Sequence, residues 1–351
     1  MAINILVLCV SFLAPAQEES ALQKIDREVT AIVEKVRPSV VQVTAVLSDD
    51  PQLPAERLTL SGVIYSKSGH IVTDASGIDS AVALRVIVGT KTLKATHVAS
   101  DRRTGVAVIK IDAEDLVPAE CSEKPARPGA LAIVVGNPFG APGGTATGSV
   151  SGFGRSIQIG DRHYENMVQM SVPVNPGDCG GYVADSSGRL IGLVHSVYAV
   201  DPAEAEARSY LPLYKKNPKD VAPVPGQSAS FATPVEWVKF SADRIIKHGK
   251  MVRGWLGLAL RPLDEATRMQ LGLEEGVGVE VMRVDRDGPG KAAKIGARDI
   301  LIELDGKPVK DLEALQWRVA RIEEPTLAKL VYLRNRERHE ADLRIEIDPQ
   351  K

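Results

Sequence analysis

The sequence predicts a chain that is all-β over its first two-thirds and ends in a smaller α+β domain, behind an N-terminal amphipathic helix. Three observations carry this. Short Val-, Ile- and Thr-rich runs recur between clusters of Gly, Pro and Asp, which is how strands and tight turns are punctuated. Past Arg253, strand-like runs are interleaved with helical ones. The length of 351 residues calls for two domains, or three if small ones are present. Hydrophobic residues make up 44% of the chain, enough for cores, and the 25% of charged residues is ordinary. A net charge of −2 gives no electrostatic case for nucleic acid or an anionic membrane as partner.

The chain opens with an apolar run from Ile3 to Leu13, followed by Ala14-Pro15-Ala16. That pattern reads as a secretory signal peptide over residues 1–16, cut after Ala16. The run is too short to cross a bilayer as a helix, so no membrane span is expected after cleavage. Cys121 and Cys179 then remain; they make no disulfide framework, and a bond between them is left open. In the segment 17–37, Leu22, Ile25, Val29, Ile32, Val33 and Val36 recur at spacings of three and four, the mark of an amphipathic helix. Arg37-Pro38 ends it. Strands are read at Ser39 to Val43, Ser61 to Tyr65, Gly69 to Thr73 and Val82 to Val88. Four more follow at Leu131 to Val135, Thr147 to Phe153, Met167 to Val172 and Leu190 to Val197. Tyr198 to Gln227 is a long Ala-, Glu-, Lys- and Pro-rich stretch of weak periodicity. Ser230 to Thr233 is a final strand of this region. Thr233 is then expected to cap a helix, with Pro234 as its first residue, Glu236 completing a capping box and Gly249 ending it.

Asn175-Pro176-Gly177-Asp178-Cys179-Gly180-Gly181 is the stretch that organises the rest. Alone, it is a glycine-rich turn with a small thiol. It stands, however, beside Asn137-Pro138-Phe139-Gly140, Gly148-Ser149-Val150-Ser151-Gly152 and Ile191-Gly192-Leu193. In that order and spacing the set resembles the HtrA (DegP/DegS-like) trypsin-fold proteases, over about residues 36 to 345. The resemblance implies an all-β, chymotrypsin-like double β-barrel at 38–233, a linker helix at 234–252 and a PDZ domain at 253–348. It also implies that the Gly177 N–H helps to form an oxyanion hole and that Cys179 stands at the nucleophile position.

The same resemblance points away from ordinary catalysis. Where the family reads Thr-Asn-Asn-His-Val, this chain has Thr73-Asp74-Ala75-Ser76-Gly77, so Ser76 replaces the general base. Where the family reads Asp-Pro-X-Thr-Asp-Leu-Ala-Val, it has Asp101 to Val108, with Gly105 in place of the orienting Asp. Asp101 reads as a turn residue rather than a displaced acid. A hydroxyl does not take a proton at neutral pH as imidazole does. Loss of the base is the graver change: in subtilisin it alone costs about 10⁶ in kcat. His195 is the alternative base, reaching Cys179 from a different strand; the other reading is a strand histidine bonded to a backbone carbonyl.

In the C-terminal domain, Leu256, Gly257 and Leu258 are the peptide-binding residues that the resemblance implies, capturing a C-terminal carboxylate beside a strand edge. Leu312, Leu315, Val319 and Ile322 lie on one face of the helix bordering that groove. The leading expectation is therefore a secreted or periplasmic pseudoprotease that binds peptides or unfolded proteins with hydrophobic C-termini. The alternative is an endopeptidase using Cys179. In the family the segment before the first strand helps to hold a trimer; the N-terminal helix either does so here, as part of a homotrimer, or packs on the barrel. The long 198–227 stretch either remodels the specificity pocket or is a surface loop. The histidines show no metal-ligand spacing, no phosphate loop is present, and no cofactor is expected.

Overall fold

Ser20 sets the start of the first helix, α1 (Ala21–Val36): its hydroxyl accepts from the Gln23 N–H while the Gln23 side chain accepts from the Ser20 N–H. The computed structural model describes residues 19–48, 57–159, 162–197 and 230–349. The expected signal peptide and the 198–227 stretch fall outside them. Of the apolar face of α1, Val33 and Val36 are buried in a core cluster that also holds residues of both barrels, whereas Leu22 and Ile25 are exposed.

Six strands follow: β1 (Val40–Val46), β2 (Arg57–Ile64), β3 (His70–Asp74), β4 (Ala83–Val88), β5 (Lys91–Asp101) and β6 (Val106–Ile111). They close into a barrel in the order β1-β2-β3-β6-β5-β4. Alternation explains the closure: in β1, Val41, Val43 and Ala45 point inward and are buried, with the intervening residues half-exposed. A second barrel is built from β7 (Leu131–Gly136), β8 (Gly144–Ile159), β9 (Arg162–Met170), β10 (Tyr182–Ala184), β11 (Leu190–Val197) and β12 (Ser230–Pro234), in the order β10-β11-β12-β9-β8-β7.

Helix α2 (Val235–His248) leaves β12 with Pro234 as its N-cap and no side-chain cap. The expected Thr233 capping box is absent. The Thr233 hydroxyl instead donates to the Thr104 carbonyl at 2.9 Å, tying the two barrels together, so a buried tertiary bond wins over the local one. Gly249 ends the helix in the left-handed region, as the sequence indicates.

The C-terminal domain comprises β13 (Gly254–Trp255), β14 (Leu258–Pro262), α3 (Glu265–Gln270), β15 (Val279–Val284), α4 (Pro289–Ala292), β16 (Ile300–Leu304), β17 (Lys307–Pro308), α5 (Leu312–Ala320), β18 (Thr326–Arg334) and β19 (Glu337–Ile347). Its sheet runs β13-β19-β18-β16-β15-β14, which leaves β14 at an edge, and its core is Val279, Val281, Leu301, Leu330 and Leu343 with Leu315 of α5.

This domain is docked on α2 by aromatic packing. Trp237 of α2 and Trp317 of α5 stack with centroids 3.9 Å apart and planes 12° from parallel, and Phe240 meets both edge-on. Arg253 lies over the Trp237 and Phe240 rings and pairs with Asp101 at the end of β5. Asp101 is thus more than the expected turn residue. Its Oδ2 also accepts from the Thr104 and Ser241 hydroxyls at 2.8 and 2.7 Å. A buried ion pair recovers its desolvation cost only when such extra bonds satisfy it. Replacing the nearly buried Trp237 by Ala should lower stability by about 3–5 kcal/mol. Urea unfolding read by tryptophan fluorescence checks this; an unchanged midpoint would mean that the stack contributes nothing.

Candidate functional site

The turn that carries Cys179 is held from both barrels, and Ser61 of β2 is the centre of the arrangement. The Ser61 hydroxyl donates to the Gly177 carbonyl at 2.8 Å and accepts from the Asn137 backbone N–H and side-chain amide at 2.8 and 3.0 Å. The Ser61 N–H donates to the Cys179 carbonyl, and the Ser61 carbonyl accepts from the Thr73 hydroxyl at 2.6 Å. Gly177 has φ 99°, and a Cβ there would lie 2.3 Å from the Asn137 carbonyl oxygen, so glycine is required. Burial pushes the neighbouring Asp178 carboxyl above its ordinary value, although it accepts the Asn175 N–H at 2.8 Å.

The segments that carry Ser76, Gly105 and Cys179 adjoin one another through neighbouring residues. The Ala75 N–H, one residue before Ser76, donates to the Gly105 carbonyl at 2.8 Å. Gly180, one residue past Cys179, approaches so closely that a Cβ on it would lie 2.8 Å from the Asp74 nitrogen. Cys179 is half-buried, its side chain against the core of the first barrel. Cys121 and Cys179 are not joined by a disulfide, and burial pushes the Cys121 thiol up. Ser76 is exposed, with its N–H on the Asp74 carboxylate at 2.7 Å.

His195 is buried with a carboxylate beside its ring. It is 2% exposed, and its Nδ1 is 2.5 Å from Asp74 Oδ2 rather than on a backbone carbonyl. The two atoms are within ion-pair distance but are not aligned as a hydrogen bond, and neither has another hydrogen-bond partner. Tyr164 meets the ring edge-on with centroids 4.1 Å apart. The third wall is Gly105, with φ 72°: a Cβ there would lie 2.3 Å from His195 Cε1 and 2.7 Å from Nδ1. The imidazole therefore occupies the volume that any side chain at position 105 would enter. Sequence reasoning missed Asp74, because nothing local sets it apart from a strand-end Asp; only the bulge in β11 between Val194 and Ser196 turns His195 towards it.

In the C-terminal domain a groove of about 360 Å³ runs between Leu258 and Leu260 of β14 and Leu315 and Val319 of α5, and Thr104 and Asn166 of the barrels line it too. The Leu256 carbonyl accepts from the Gly290 N–H and the Gly257 carbonyl from the Asp285 N–H. Because a trans peptide points N–H opposite to C=O, the Gly257 and Leu258 N–H groups face away from those partners. Ile322 lies just past the end of α5 and packs against the domain core.

These features define a trypsin-like double barrel joined to one peptide-recognition module. Residues 60–193 match the model for the trypsin-like peptidase domain, and residues 254–345 match that for the PDZ domain. A protein of Brucella suis named probable periplasmic serine endoprotease DegP-like is 30% identical over 293 residues, 82% of this chain and 52% of the relative. A protein of the same name from Halomonas elongata is 28% identical, over 80% of this chain and 55% of the relative. The chain spans about half the length of the curated relatives it matches. Among solved structures, the HtrA-type protease AlgW with tripeptide superposes with a TM-score of 0.75 at 26% identity, over 92% of this chain and 98% of that one. AlgW with decapeptide gives 0.71, also at 26% identity. The chain thus carries a trypsin-like peptidase domain followed by one PDZ domain, and is similar over most of its length to HtrA-type proteases.

Gly105→Ala should destabilise the fold by about 1–3 kcal/mol through overpacking against His195. The steric part should vanish in Gly105→Ala with His195→Ala, giving a coupling of about 1 kcal/mol or more. Thermal melts of the four proteins measure this, and strict additivity would show that the ring does not fill that volume.

Proposed function

We propose that this chain is an HtrA-type pseudoprotease of the periplasm or the secreted space, a binding scaffold that recognises peptide or unfolded-protein C-termini through its PDZ groove. The observation that carries the proposal is the packing at Gly105. The family's base position is Ser76, its acid position is a glycine, and the space above that glycine is filled by a buried imidazole. A general base must reach the nucleophile's proton and exchange it with substrate. The enclosure of His195 by Asp74, Tyr164 and Gly105 supports packing over proton exchange. The alternative, a thiol endopeptidase with Cys179 as nucleophile and His195 as base, draws on the Asp74–His195 contact, which would orient an imidazole as a triad acid does. The burial of both groups weighs against it.

The scaffold of the turn, with Gly177 bonded through Ser61, supports retention of a formed site without its proton acceptor. The outward-facing N–H groups of Gly257 and Leu258, beside the edge strand β14, support carboxylate capture with β-augmentation. The periplasmic assignment draws on the names of the relatives, and the exposed Leu22 and Ile25 of α1 suit a homotrimer contact. Among the described residues no helix is long and apolar enough to cross a membrane, and no group of three His, Cys, Asp or Glu is placed to hold a metal ion.

Casein and a peptide library incubated with the mature protein should remain intact, with wild type and Cys179→Ala indistinguishable by mass spectrometry. Turnover lost in Cys179→Ala would favour the thiol endopeptidase. Peptides with hydrophobic C-termini should bind, and amidation of the terminal carboxylate should weaken binding about tenfold or more. Titration by fluorescence anisotropy reads this, and indifference to amidation would remove carboxylate capture.

A further inference from the structure

The groove holds two buried donors with no acceptor, one from each side of the domain boundary. Arg253 is 5% exposed; its Nη2 engages Asp101 while its Nε has no partner. Asn166 of β9 has a buried Nδ2, likewise without an acceptor. Both side chains line the same groove, and nearly all buried polar groups in folded proteins are satisfied. Neither donor is placed by accident of mobility. The Arg253 guanidinium is fixed over Trp237 and Phe240, and Asn166 sits at φ 59°, a left-handed conformation that sets where its short side chain points.

Charge around the groove is balanced, each lining arginine having a carboxylate partner, Arg283 with Asp285 at 3.7 Å among them. Its charged lining residues are Arg103, Arg253 and Arg283 against one carboxylate, Asp285. Arg103 and Arg253 find counter-ions in Asp348 and Asp101, which lie outside that lining. The attraction for an acceptor therefore comes from the two unpaired donors rather than from net charge, and a charge-assisted bond to the guanidinium is strong.

Resting on the reading of the groove as a peptide site, we propose that Arg253 and Asn166 form a second acceptor subsite, which takes a carboxylate side chain close to the C-terminus of the bound peptide. The terminal carboxylate itself goes to the Gly257 and Leu258 N–H groups, so the subsite reads a separate residue. The double barrel thereby contributes to the specificity of the PDZ groove: the preferred ligand is a hydrophobic C-terminus with an acidic residue just upstream.

The test uses the full mature chain and fluorescein-labelled octapeptides ending in Val, with Glu or Gln at one of the three positions before it. At one position the Glu peptide should bind about tenfold more tightly than its Gln counterpart. Asn166→Asp, nearly isosteric and tolerant of the left-handed backbone, should abolish or reverse that preference. Equal binding of Glu and Gln peptides at all three positions would mean that water alone satisfies the donors, and the subsite would be excluded. So would a preference that survives Asn166→Asp. Absence of binding by any of the peptides would instead overturn the groove reading, and the subsite with it.

Discussion

The double barrel depends on one hydroxyl. Ser61 is fully buried between the barrels, and its Oγ is saturated, with one donated and two accepted hydrogen bonds. Through them and its backbone it fixes the Gly177 and Cys179 carbonyls, the 137–139 turn and Thr73 at once. The Asn137 side chain extends the network to the Val41 carbonyl of β1. A buried network of this kind is stabilising only when complete, because each lost partner strands another polar group away from water. The shape of the nucleophile turn is thus a property of the interface between two barrels, independent of whether any proton acceptor stands beside it.

That independence explains how chemistry and architecture can part company. The turn is held by Ser61, Asn137 and Thr73, none of which belongs to the positions assigned to proton transfer. The volume above Gly105 must be well packed, since an empty space there would cost cohesion in the core. The His195 ring, set against Tyr164 and Gly105 and drawn to Asp74, meets that need.

Two segments join this region to the groove. The turn after β5 presents Thr104 to the groove and Gly105 to His195; β9 presents Asn166 to the groove and Tyr164 to His195. Asp101 anchors the same turn to Arg253. The PDZ domain is accordingly held at a definite angle, by a buried ion pair with its full complement of hydroxyl donors and by the Trp237–Trp317 stack. Such packing of aromatic faces makes domain docking specific in a way that surface ion pairs, such as Lys247 with Glu323, do not.

The sequence by itself determined the barrels, the PDZ module and the turn at Cys179, since these rest on local information: alternation along strands, glycines where backbone must turn, and motifs of fixed spacing. The motif order also assigned Ser76, Gly105 and Cys179 to three positions of one family pattern. Tertiary structure alone decided the rest. The partner of His195 is Asp74, 121 residues earlier in the numbering, and the partner of Arg253 is Asp101, 152 residues away. Thr233 looked like a helix cap and became a bond between barrels, because its hydroxyl could reach the Thr104 carbonyl only once both barrels were closed. Each of these is a long-range choice among polar partners, settled by which groups burial leaves in need of one; local pattern holds no record of that competition.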